Sequence, residues 1–152
     1  MVSVAQAKPN AVDQCMAYLL FIALFFCLRS CEYTKTNSHR RTTQFRFQDI
    51  QFLDANGVIP PDADAKVFLA ASAIILFLDT QKNCVCGEFS TMEATGLLHG
   101  EPVPACARLY LHIWNNNASP NTPICTYYVL MGAAPKYVTG KNIVELLRAT
   151  AK

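Results

Sequence analysis

The chain has 152 residues, 52% of them apolar and 16% charged, and a formal net charge of +2. That length carries one domain with a real core, and that apolar content excludes a disordered chain. The net charge selects no partner by itself, but its distribution is uneven. Arg29, Lys35, Arg40, Arg41 and Arg46 oppose only Glu32 between positions 29 and 48, a local +4, so the remainder sums to −2. Such a segment suits a polyanion, although a solvated basic loop is its commoner origin.

In chain order, residues 1–9 read as a frayed lead-in. Asn10 is placed to cap a helix, with Asp13 in the first turn. The helix is expected to run to about Tyr33. Because Met16 to Leu28 is an unbroken apolar run of thirteen residues, burial on nearly every side is expected. "KTNSHRRTTQ" is a polar connector. "FRFQDIQFLDA" predicts a strand with a slip near Asp49, and "NGVIPPDAD" a turn and loop. "DADAKVFLAA" offers a short helix start. "AIILFLDT" and the residues after "QKNCVCGE" predict a hairpin with Lys82 at its tip. "PVPACARLYLHIWNN" is a helix with prolines in its first turn, "NASPNTPIC" a loop, and Thr139 a cap for the last helix, "GKNIVELLRATAK". There is no internal repeat.

The thirteen-residue run is short for a membrane span, which takes about 20 residues, and lacks the flanks of a signal peptide. The seven cysteines fit neither a paired framework nor a zinc ribbon: Cys84 and Cys86 form C-x-C, and Cys27 and Cys31 form C-x-x-x-C. With no suitable histidine pair, a reducing compartment (nuclear or cytoplasmic) and no bound metal are expected. The N-A-S at Asn117 reads as coincidence.

The order is thus an apolar helix ending in Leu-Arg-x-x-Glu, a strand, a hairpin with lysine at its turn, then helices. In this order "FFCLRSCEYT", "LDTQKNCVCGE", "PVPACARLYLHIWNNNASPNTPICTYY" and "VTGKNIVELLRATAK" resemble the first half of the catalytic domain of tyrosine recombinases, the phage-integrase-like enzymes. The likeness is nearest to the recombinase-like proteins of mobile elements in algae, oomycetes and related protists. The resemblance spans about Ala17 to Lys152.

It implies that Arg29 contacts the scissile phosphate. A guanidinium fork can hold two non-bridging oxygens where negative charge builds. Without the resemblance, Arg29 would simply complement a helix C-terminus. Glu32, three residues on and on the same face, is implied as its support; otherwise it is a half-exposed surface acid. Lys82 maps onto the hairpin lysine that protonates the leaving 5′-oxygen in the family; otherwise it is an ordinary turn lysine. Lys35, Arg40, Arg41 and Arg46 are candidates for DNA-backbone contact.

The family's His-x-x-Arg pair and its tyrosine nucleophile have no counterpart here. His39, His99 and His112 each lack an arginine three residues on. Tyr127, Tyr128 and Tyr137 precede the nucleophile's place and read as packing residues. Cys27 stands where the family usually has glycine, which is expected to crowd the helix end.

The expectation is therefore an α+β domain, mostly helical and integrase-like, with a small antiparallel sheet or hairpin. Residues 10–152 would form a truncated catalytic domain, without strand-transfer activity alone but able to bind DNA phosphates, with no cofactor. Two alternatives stand: a non-enzymatic interaction domain that self-associates, and a short protein anchored in a membrane through residues 16–28.

Overall fold

The computed structural model describes residues 11–35, 44–78, 87–96 and 101–150. Helix α1 spans Ala11–Phe25, α2 Ser30–Tyr33, α3 Ala65–Leu69, α4 Pro102–Trp114 and α5 Gly140–Thr150. Strands β1 (Ile50–Asp54), β2 (Gly57–Val58), β3 (Ala73–Leu78) and β4 (Glu88–Glu93) form an antiparallel sheet in the order β2-β1-β3-β4. A two-stranded ribbon pairs β5 (Thr126–Tyr127) with β6 (Lys136–Tyr137). The class is α+β with a small antiparallel sheet.

Alternation along the strands builds the core. Ile50 lies opposite Leu76 and Phe52 opposite Ile74, and all four are buried on one face. The intervening residues point away, leaving the cross-strand pair Phe77 and Phe89 exposed. This is the one-sided burial that a period of two produces. On the covered face, Phe52 meets Phe68 edge-on at 5.4 Å and Tyr110 of α4 at 5.1 Å. Phe47 stacks on Tyr110 at 4.1 Å between centroids. Val103, Cys106, Leu109 and Ile113 of α4 are almost completely buried. Burial pushes the Cys106 and Cys15 thiols up to about 12 and that of Cys125 to about 11, so all three behave as small hydrophobes.

The expected slip near Asp49 is a 3₁₀ turn, Phe47–Asp49, directly before β1. The β3–β4 hairpin is present, but Lys82 lies outside the described residues, as do Asn10, Arg40 and Arg41. Thr139 caps α5. Its N–H donates to Asn142 Oδ1 at 2.9 Å, and the Asn142 N–H donates back to Thr139 Oγ1 at 3.4 Å. Asparagine here takes the place glutamate usually has in a capping box.

Two expectations about the first helix are corrected. It does not continue to Tyr33 but ends at Phe25, with a separate four-residue helix after it. The Leu28 N–H reaches Ala23 O at 2.9 Å and the Cys27 N–H reaches Leu24 O at 3.4 Å, a Schellman stop. That stop requires a left-handed residue between them, and Cys27 supplies it with φ 52°. Nor is α1 buried on nearly every side. Cys15, Met16, Leu19, Ile22 and Ala23 face the core, whereas Leu24 is 72% exposed and Phe21 is also exposed. The neighbours α4 and α5 cannot enclose a fifteen-residue helix. Among the described residues, no helix is long and apolar enough to cross a membrane.

Cys27 is exposed, so the glycine position marks a backbone requirement, not a crowded one. A left-handed L-residue costs about 1–2 kcal/mol, of which glycine's greater unfolded-state entropy returns part. Cys27→Gly is therefore expected to stabilise the fold by about 1 kcal/mol, raising the thermal midpoint by about 2–4 °C. Calorimetry checks this; an unchanged or lowered midpoint would contradict it.

Candidate nucleic-acid interface

The Schellman stop turns the chain sharply out of α1 and delivers Arg29 at the entrance of α2. Arg29 is extended (φ −79°, ψ 149°) and caps that helix. Its backbone is pinned twice. Its N–H donates to Glu32 Oε2 at 2.7 Å, and its carbonyl accepts the Glu32 N–H at 2.8 Å. Glu32 is buried, 8% exposed, and its own carbonyl accepts the Phe45 N–H at 2.9 Å. The acid therefore positions the arginine through the main chain, while the guanidinium has no ion pair among the described residues and sits on an exposed residue. Such a fork on a fixed backbone can donate to two oxygens of one phosphate.

Lys35 leaves the other end of α2. Its N–H donates to Val138 O at 2.8 Å, and its ammonium lies 5.1 Å from the centre of the Tyr137 ring. The cation–π contact holds the charge over the β5–β6 ribbon without neutralising it. Tyr137, expected to be a packing residue, instead supports this lysine and is itself partly exposed, whereas Tyr128 is buried as expected.

Arg46 does not join this surface as a free charge. Its Nε and Nη2 hold the two carboxylate oxygens of Asp49 at 3.1 and 3.0 Å, and its N–H donates to Asp49 Oδ2 at 2.8 Å. Asp49 is buried, so the fork is committed to keeping that carboxylate paired. The +4 counted over positions 29–48 stops one residue short of this acid.

Sequence reasoning passed over a second group. Arg108 and His112 on α4 face Gln14 and Tyr18 on α1 across a small cleft. Each pair is spaced i,i+4, which is readable, but the pairing of α1 with α4 is not. His112 Nε2 accepts the Tyr128 N–H at 3.0 Å, and burial lowers the imidazole pKa. Among the described residues, no cluster of histidine, cysteine or carboxylate side chains could hold a metal. No protein-family model matches the chain, and no curated protein or solved structure matches it.

Proposed function

We propose that this chain is part of a DNA breaking-and-rejoining domain of the tyrosine-recombinase kind, and that it engages the sugar–phosphate backbone through Arg29. The observation that carries the reading is the geometry of Arg29: a guanidinium with no ion pair among the described residues, on a backbone fixed by a buried carboxylate three residues on. Support comes also from the left-handed Cys27, because the residue before Leu-Arg is a glycine in the enzymes the sequence resembles. In such chemistry a tyrosine attacks the phosphodiester, and the arginine stabilises the charge that builds on the non-bridging oxygens. Lys35 adds a second positive charge at the far end of α2, and Lys82 is the candidate acid for the leaving oxygen. Arg46 contributes to the fold rather than to the contact surface, and Arg40 and Arg41 are proposed as backbone contacts on charge alone.

Fluorescence anisotropy with a labelled duplex tests the reading. Each phosphate neutralised releases counterions, so log affinity is expected to fall linearly with log salt, with a slope of about −0.9 per contact. Affinity indifferent to salt would remove the reading.

A second reading, self-association, is favoured by one observation. Ala17, Leu20, Phe21 and Leu24 of α1 line an open apolar groove with Leu146 and Leu147 of α5. Exposed apolar strips of this kind mark contact surfaces. In sedimentation, this reading expects association without DNA that Leu24→Glu abolishes. A monomer at all concentrations would dismiss it.

A further inference from the structure

Helices α1 and α4 pack together, and an i,i+4 pair on each brings hydrogen-bonding side chains to one seam. Gln14 and Tyr18 from α1 and Arg108 and His112 from α4, with Cys15 and Leu109, line a cavity of about 170 Å³. The side chains of Gln14, Tyr18 and Arg108 make no hydrogen bond or ion pair among the described residues. Among the described residues, no carboxylate lines the cavity.

The protonation states are set by what surrounds each group. The Tyr128 N–H donates to His112 Nε2, so the neutral ring carries its proton on Nδ1 and offers a donor. Cys15 is held as a neutral thiol by burial, with its Sγ 3.9 Å from the Thr126 carbonyl oxygen. The described lining therefore presents a guanidinium, a carboxamide, a phenol and an imidazole N–H, with one positive charge and no negative one. A cation would find no anionic ligand here, and an apolar guest would leave several donors unpaired. A tetrahedral oxyanion matches both the charge and the donors.

We propose that the α1–α4 seam is a binding site for a phosphate-sized oxyanion, held by the Arg108 guanidinium with Gln14, Tyr18 and His112 as neutral donors. The site is separate from Arg29 and does not depend on the DNA-rejoining reading. Its ligand is a phosphate group, whether free or carried by a nucleotide or a nucleic-acid backbone.

The His112 imidazole resonance, followed by NMR at fixed pH and ionic strength, reads occupancy directly. Inorganic phosphate, a 5′-mononucleotide and a short phosphodiester oligonucleotide are titrated separately against a chloride control. At least one is expected to give a saturable shift beyond chloride, and which one identifies the source of the phosphate. Arg108→Gln, at an exposed position, is expected to weaken that binding about tenfold or more, the loss of a charge-assisted hydrogen bond. Arg108→Lys is expected to fall between the two, because it keeps the charge but not the fork. Arg29→Ala is expected to leave the inorganic-phosphate shift intact. Three results would overturn the proposal: no saturable shift with any oxyanion, an unchanged shift in Arg108→Gln, or loss of the inorganic-phosphate shift in Arg29→Ala.

Discussion

Replacing Arg29 by alanine is expected to weaken binding to duplex DNA about tenfold or more while leaving the thermal midpoint nearly unchanged. Hydrogen bonds to charged groups contribute about 1.5–3 kcal/mol, and a fork on a single phosphate makes two. Among the described residues the guanidinium has no ion pair to lose, and Arg29 is exposed, so the fold loses within about 0.5 kcal/mol. The salt slope is expected to shrink by about one contact in the same variant. Arg29→Lys is expected to restore the slope but only part of the affinity, because a point charge cannot reproduce the fork.

Glu32→Ala separates positioning from contact. It removes the acceptor of the Arg29 N–H, which costs about 1 kcal/mol of stability as for other lost caps. It is expected to loosen the arginine, so DNA affinity falls although a negative charge has been deleted. A purely electrostatic surface would show the opposite sign. Anisotropy of the three variants at one salt concentration decides it, and Arg29→Ala binding as tightly as the parent would end the DNA reading.

Phe52→Ala is expected to remove about 3–5 kcal/mol, a large share of the roughly 5–15 kcal/mol by which a domain is stable. Phe52 is 1% exposed at the centre of β1, between Phe68 and Tyr110. Truncation leaves a cavity that two aromatic neighbours, each fixed by further stacking, cannot collapse to fill. The Phe47–Tyr110 stack and the tilted Phe68–Tyr110 contact at 5.2 Å would lose their common support. For a chain of this length the thermal midpoint is expected to drop by about 6–20 °C. A fall of only a few degrees would mean that the cluster repacks and that the sheet face is less rigid than its geometry implies.

The residues themselves determined much of this fold. The alternation of Ile50 and Phe52 about Gln51 in "IQFLD" and the β-branched, aromatic run "AIILFL" determined two strands, whereas pairing decided which face of the second is buried. The prolines at the start of α4 and Thr139 just before α5, paired with Asn142 in its first turn, fixed where those helices begin, since capping is local chemistry. The Leu-Arg-x-x-Glu spacing already placed Glu32 beside Arg29, although it left open whether the acid holds the side chain or the main chain.

Other features were decided only by contacts distant in sequence. The apolar run Met16 to Leu28 gave no sign of the stop after Phe25, because Cys27 carries no local signal for a left-handed residue. Only docking of Phe45 on the Glu32 carbonyl and of Lys35 on Val138 shows why the chain must turn there. The charge of Arg46 was cancelled by Asp49 through a turn that the strand-like pattern concealed. The cleft of Gln14, Tyr18, Arg108 and His112 exists because α1 and α4, about ninety residues apart in the chain, lie side by side. Local periodicity fixes which side of an element is apolar. Which elements meet depends on how their faces share one core, and that sharing is a property of the whole chain.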